Sequence, residues 1–180
     1  YVKSNLIGFF NILHLSKEVR VNHLLFASTS SIYGDQTKMP ITENSVITKP
    51  IQFYAATKGS NELMAYSYSK LYSLKITALR FFTVYGPWGR PDMALFKFTK
   101  NIINNKKIEL YNFGNHFRDF TYIDDCINGI LLLSKRKSVS KYDIFNIANG
   151  NSRPLEHFIK IIETCLNKKS IFFVLLSLYP

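Results

Sequence analysis

Two short apolar runs, His23 to Ser28 and Lys75 to Phe82, bracket a proline-free stretch from Tyr54 to about Tyr72, and that order leaves few folds open. Each run is too short for a helix and lacks polar alternation, which fits strands buried on both faces of a parallel sheet. The stretch between them is rich in good helix formers. Strand, helix and strand in succession make a parallel crossover unit, so the fold class is α/β. Upstream, Leu6, Phe9, Phe10, Leu13 and Val19 recur at helical spacing, predicting a helix over 5–20 with Asn5 as its cap. Residues 34–50 are polar, hold Pro40 and Pro50, and read as a loop. Further on, the pattern predicts helices at 93–105, 124–136 and 155–167, and strands near 108–112, 118–122 and 143–148. Gly86, Pro87, Gly89 and Pro91 crowd together and mark a boundary, after which strands shorten and helices become more polar.

Composition narrows the function. The net charge of +11 raises the question of nucleic acid, but the lysines are scattered, with Lys135-Arg136-Lys137 the one triplet, and no binding motif accompanies them. No nucleic-acid partner is expected. The longest uncharged apolar stretch, Ile171 to Pro180, is about half the ~20 residues that span a bilayer, so no membrane partner is expected either. The chain opens on Tyr1 with no basic-then-apolar leader, which reads as a start lost to truncation and a cytoplasmic protein. Cys126 and Cys165 read as two reduced thiols, and His14, His23, His116 and His157 are too dispersed for a metal cluster.

Tyr54 and Lys58 stand four apart on the long helix, one above the other on the same face. With 11 Tyr and 17 Lys in 180 residues about one such pair arises by chance, and Tyr66 with Lys70 is a second. That second pair lies ~18 Å further along the helix and a third of a turn round. Ligands of parallel sheets bind beyond the carboxyl ends of the strands, and only Tyr54 sits beside such an end. There Ser28, Thr29, Ser30 and Ser31 put four hydroxyls in a row.

The stretches Ala27 to Gly34, Tyr54 to Ala65, Arg80 to Pro87 and Arg118 to Asp125 resemble, in order and spacing, the signatures of the extended short-chain dehydrogenase/reductase family. Within it they are most similar to the UDP-glucuronate 4-epimerases. The resemblance runs to about residue 168, and the tail beyond Lys169 fits it poorly. It implies the C-terminal part of a Rossmann-type parallel sheet in residues 1–86. A smaller α+β substrate-binding region follows in 87–180, with about 118–136 returning to the sheet. The family's glycine-rich pyrophosphate turn precedes residue 1 in this reading. The resemblance also implies NAD, a UDP-sugar substrate and a homodimer packed through the helices at 5–20 and 54–72.

By the resemblance, Tyr54 is the base for the sugar's 4-hydroxyl, Lys58 favours its phenolate and binds the nicotinamide ribose, and Thr29 holds the 4-oxygen. Dehydratases and decarboxylases of the family set an acid after that Thr. Here Ser30 and Ser31 stand there, which leaves epimerisation. The segment Trp88 to Ala94 resembles that of the glucuronate epimerases, so Arg90 is read as the fork for the substrate carboxylate, helped by Ser30, Ser31 and Thr83. On residue type alone Arg90 is a solvated loop arginine. Arg118 matches the family arginine that meets the UDP phosphates, and Tyr111 and Phe96 are candidates for the uracil, Phe96 reading equally as a core aromatic. Asn5 reads as a cap or as a residue ordering the cofactor loop. Two other substrates stay open, UDP-glucose and its N-acetyl relatives, as does a catalytically silent domain that only binds partners.

Overall fold

The computed structural model describes residues 1–34, 40–47, 49–136 and 140–175, so Lys137 of the basic triplet and the last five residues of the tail lie outside the described part. The chain divides into two compact units, Tyr1–Phe82 with Asp124–Ile147, and Thr83–Ile123 with Ala148–Pro180. It therefore passes from one unit to the other three times.

In the first unit three parallel strands form one sheet, β1 (Leu24–Thr29), β2 (Ile76–Phe81) and β7 (Tyr142–Ile147), with β2 in the middle. Leu24 lies opposite Ile76 and Ile76 opposite Tyr142, so the three strands end level, at Thr29, Phe81 and Ile147. Helix α2 (Phe53–Tyr72) is the crossover between β1 and β2. It ends at Ser73, which takes the left-handed conformation that closes many helices. The core joins Leu13 of α1 (Gly8–Glu18) to Phe26, Ala65, Ile76 and Ala78, all buried. Burying these side chains is what fixes α1 and α2 on the sheet.

The expectation of one regular helix over 5–20, capped by Asn5, is corrected. Val2–Ile7 form a π-helical turn that runs into α1, and no side chain caps either start. Asn5 lies inside that turn. Its amide donates to Thr57 Oγ1 of α2 at 2.9 Å, and a side chain so engaged cannot reach back to cap its own helix. Such widened turns recur where a helix serves a site.

In the second unit β3 (Thr83–Tyr85) pairs in parallel with β6 (Phe120–Tyr122), and β5 (Phe117–Arg118) pairs antiparallel with β8 (Arg153–Pro154). The strand expected over 118–122 is thus two short pieces split at Asp119. The Asp119 carboxylate accepts the backbone N–H of Asn149 at 2.8 Å and of Asn151 at 3.1 Å, pinning the turn before β8. Helices α3 (Ala94–Ile103) and α5 (Leu155–Leu166) close on β4 (Lys107–Tyr111), burying Phe98, Ile102, Ile108, Leu110, Phe120, Leu155 and Ile159. The tail adds a strand that its composition did not announce: β9 (Ile171–Leu175) pairs in parallel with β4. Helix α4 (Ile123–Ser134), with Asp124 and Asp125 in its first turn where the helix dipole favours acids, leads back into the first unit.

Candidate active site

The carboxyl end of β1 turns directly into a 3-10 turn, Ser30–Tyr33, and Thr29 is its N-cap. Thr29 is buried, accepts the Ser31 N–H at 3.2 Å and donates to Ser31 Oγ at the same distance. Ser30 is half-buried and Ser31 exposed. Gly34 ends the turn at φ 62°, where an added Cβ would lie 2.4 Å from the Lys49 carbonyl oxygen. Only glycine lets the loop come back that close.

Tyr54 stands in the first turn of α2, half-buried, with the Tyr1 ring 5.6 Å from its own. Its carbonyl accepts Thr57 Oγ1 at 2.7 Å, so Asn5, Thr57 and the Tyr54 backbone form one hydrogen-bonded line. Turned so that its amide nitrogen faces two carbonyls, buried Asn61 donates to Asn5 O at 2.8 Å and Thr57 O at 3.2 Å. One turn along, Lys58 Nζ donates to the carbonyl of Ala27 at 2.9 Å, reaching the end of β1. Burial lowers the Lys58 pKa, because the ammonium has lost part of its hydration. The helix thus presents a phenol and a half-buried amine beside the hydroxyls of Thr29 to Ser31.

The second Tyr/Lys pair is built otherwise. Tyr66 and Lys70 are exposed, and the Lys70 ammonium sits over the Tyr66 ring at 5.2 Å, a contact with the ring face.

Beneath the strand ends runs a buried polar network that the sequence reading did not find. Ser28, Arg80 and Asn146 are register partners across β1, β2 and β7. Arg80 is 2% exposed and forks onto Glu62 of α2, Nε to Oε1 at 3.0 Å and Nη2 to Oε2 at 2.7 Å. Ser28 Oγ donates to Glu62 Oε1 at 2.6 Å. Arg80 Nη1 donates to Tyr33 Oη at 2.7 Å, and Tyr33 Oη in turn donates to Asn146 Oδ1 at 2.7 Å. Burial pushes the Tyr33 pKa up against the opposing pull of Arg80, which suits a phenol that stays neutral and donates. One signal was available: Arg80 is the one charged residue inside an otherwise uncharged buried strand, and a buried cation calls for an anion.

In the second unit Thr83, Arg90, Phe96, Tyr111 and Arg118 all line one open cleft of about 1050 Å³. Phe96 is 47% exposed there, while Phe98 and Ile102 of the same helix enter the core. Gly86 starts the Arg90 loop at φ 137°, where a Cβ would meet Ile123 Cγ2 at 2.6 Å. Trp88 follows, fully exposed and with a left-handed backbone, a strained arrangement typical of functional loops. Arg90 itself is exposed and forks onto Asp92, with Nε to Oδ1 at 3.0 Å and Nη2 on Oδ2, which holds the Asp92 pKa down. Arg118 Nη1 donates to its neighbour's carbonyl, Phe117 O, at 3.0 Å. Lys97, Lys100 and Lys106 also line the cleft, against the acids Asp92 and Glu109. Lys97 and Lys100 were legible as a pair three apart on one helix face but read as scattered charge. His116 joins the lining, its pKa lowered by burial and by Arg118. No group of His, Cys, Asp and Glu suited to a metal occurs among the described residues.

Residues 1–148 match the profile of the NAD dependent epimerase/dehydratase family. Among curated proteins, the chain is 47% identical over 186 residues to Protein CapI of Staphylococcus aureus, covering 94% of this chain and 56% of that one. It is 44% identical over 188 residues to the probable UDP-glucuronate 4-epimerase of Rhizobium meliloti, covering 95% and 55%. Among solved structures it superposes on the Bacillus cereus UDP-glucuronic acid 4-epimerase in complex with UDP-glucuronic acid and NAD. The TM-score is 0.92 at 31% identity, over 98% of this chain and 56% of that one. The chain thus spans about half the length of the curated relatives it matches.

Proposed function

Because this chain belongs to the NAD dependent epimerase/dehydratase family, we propose that the protein inverts C4 of a UDP-sugar, UDP-glucuronate foremost, and returns its NAD unchanged. The observation that carries the reading is Tyr54 and Lys58 one turn apart beside the hydroxyls of Thr29, Ser30 and Ser31, with no acid among those three positions. The residues fit the cofactor: ligands of parallel sheets bind beyond the carboxyl ends of the strands, and the half-buried Lys58 amine reaches β1 near that end. NAD, when bound, accepts a hydride from the sugar's C4 and returns it to the opposite face.

This chain's residues supply the proton chemistry and the binding. Tyr54 takes the proton of the 4-hydroxyl, a task for which a phenol of ordinary pKa ~10 needs a neighbouring cation. Lys58 is that cation, and on the cofactor side it exchanges its bond to Ala27 for a ribose hydroxyl. Thr29 gives up a long bond to Ser31 Oγ and donates to the 4-oxygen. Asn5 acts through Thr57 to fix the start of α2 near the cofactor. Arg118, with Lys97 and Lys100, offers positive charge to the diphosphate, and Tyr111 and Phe96 pack on the uracil. Arg90 holds the sugar carboxylate with Thr83, and Ser30 and Ser31 are hydroxyls of the first unit that meet the substrate. The reading sets the reaction in the cytoplasm, as a supplier of sugar nucleotides for polysaccharide synthesis.

Asp92 already fills the Arg90 fork, and that contact favours a second reading with an uncharged hexose, UDP-glucose or its N-acetyl relatives. Chromatography of sugar nucleotides separates the two. The full-length protein is expected to turn UDP-glucuronate into UDP-galacturonate with no net NADH. Accumulation of UDP-galactose from UDP-glucose, with UDP-glucuronate untouched, overturns the first reading.

Arg90→His probes the carboxylate directly. Oxidation at C4 makes a β-keto acid, which loses carbon dioxide once its carboxylate can rotate into line with the carbonyl π-system. A single neutral donor restrains that plane less than a bidentate guanidinium, and ~1.4 kcal/mol of lost restraint changes product partition tenfold. Mass spectrometry of the variant's products is expected to show a UDP-pentose or its 4-keto form beside the epimer. A variant that is merely slower, without carbon dioxide release, returns Arg90 to the role of a solvated loop residue.

A homodimer packed through α1 and α2 completes the proposal. Leu15 on α1 and Leu63 and Leu71 on α2 are exposed apolar side chains of the kind such a contact covers. Light scattering is expected to give twice the full-length mass at micromolar concentration, and a monomer there argues against it.

A further inference from the structure

Lys58 and Glu62 stand one turn apart on α2, the spacing that ordinarily pairs an ammonium with a carboxylate. Both face β1, since Lys58 reaches the Ala27 carbonyl and Glu62 the Ser28 hydroxyl. They nevertheless do not pair. Both oxygens of Glu62 are taken by the Arg80 fork, in a pocket where Glu62 is 6% and Arg80 2% exposed. Arg80 is fixed from its other side by Tyr33 Oη at 2.7 Å and Glu43 O at 3.2 Å, and its guanidinium lies over the Tyr33 ring at 4.8 Å.

We propose that Arg80 is a positioning residue which, by holding both Glu62 oxygens, keeps that carboxylate off Lys58 and leaves the Lys58 ammonium to Tyr54 and the nicotinamide ribose. The proposal rests on the function proposed above. Its physical content is a competition between two cations for one buried anion. The planar fork of Arg80 wins because it makes two parallel charge-assisted bonds where an ammonium makes one. A Glu62 released from Arg80 can turn to Lys58, one helical turn away, and a carboxylate paired with Lys58 offsets the charge that favours the Tyr54 phenolate. The other titratable groups around the pair lie on the Arg80 and Glu62 side. Tyr142 Oη donates to the Glu62 backbone carbonyl at 3.2 Å, and Tyr33 and the Glu43 backbone meet Arg80. None of them hydrogen-bonds Lys58, whose one such partner among the described residues is the Ala27 carbonyl.

The test follows the lysine 13Cε signal of Lys58, assigned through Lys58→Arg, across pH in the full-length protein. Arg80→Met is expected to raise the Lys58 titration by about one unit. Glu62→Gln alone is expected to leave it in place, and the double variant to return it to the wild-type position. The pH profile of turnover should move to higher pH in Arg80→Met and back in the double variant. A purely structural role for Arg80 lowers the folded fraction without moving either profile. The proposal is overturned if Arg80→Met leaves the Lys58 titration unmoved, or if Glu62→Gln alone lowers it, since Glu62 would then already be the partner of Lys58. Should Arg80→Met not fold, Arg80→Lys keeps a cation with a single contact, and its shift must have the same sign and a smaller size. Expected Lys58 shifts in a protein that turns over no nucleotide sugar reject the proposed function while the competition for Glu62 stands.

Discussion

Tyr54→Phe should lower turnover by about 10²–10⁴-fold, the usual worth of a positioned acid–base group, while leaving thermal unfolding nearly unchanged. The asymmetry follows from what the hydroxyl touches. No protein group among the described residues hydrogen-bonds it, and the ring that remains in Phe keeps its packing on Tyr1. Tyr66→Phe is the matched control. Its lysine lies over the ring face, and its ring meets Tyr142 edge-on at 5.4 Å, contacts that Phe reproduces. Turnover of the second variant should match wild type. Equal losses in both remove the assignment of Tyr54.

Arg80→Met should cost about 3–5 kcal/mol of stability, because it breaks a buried two-bond charge pair and leaves Glu62 at best a single contact with Lys58. Ser28 Oγ remains a partner for Glu62, but one hydroxyl does not replace two bonds from a cation. Tyr33 and the Glu43 carbonyl lose their donor as well. Replacing both members, Arg80→Met with Glu62→Met, should recover most of the loss, since an apolar pair of similar volume removes the poorly paired charge. Urea unfolding of wild type, the single variants and the double closes the cycle. Additive single losses, with no recovery in the double, mean that the pair is not coupled as the geometry implies.

The parts of the fold that were legible announce themselves through local periodicity. The run from His23 to Ser28 has no polar alternation and becomes β1, and Tyr54 to Tyr72 has no proline and becomes α2, each within a residue or two of its expected ends. The capping role read for Asn5 fails because a cap is judged from chain neighbours, whereas its partner Thr57 lies 52 residues away. Asp119 hid the break between β5 and β6 for the same reason, since its carboxylate answers to Asn149 and Asn151. Glu62 looked like one more polar position on a helix, and only the strand register that sets Ser28 beside Arg80 makes its burial necessary. The five cleft residues of the second unit were singled out one by one through resemblance. Their shared lining depends on how short strands and α3 pack, which no spacing in the sequence encodes.

The threading of the chain through its two units bears on how such a protein can change substrate. Thr29, Tyr54 and Lys58 precede the first crossing, whereas Thr83, Arg90, Phe96, Tyr111 and Arg118 all fall within the single continuous insert 83–123. The return segment 148–175 supplies mainly scaffold, Leu155 and Ile159 in the core and β9 beside β4. Recombination at two points, one on each side of that insert, therefore exchanges most of the contacts proposed for the sugar nucleotide and leaves the acid–base chemistry in place. A transplanted insert has to present apolar side chains that accept Leu155 and Ile159, to offer β4 and β5 to their partners β9 and β8, and to keep Asp119 for the turn at Asn149. On the proposed function, selectivity travels as a cassette, and chemistry as the frame around it.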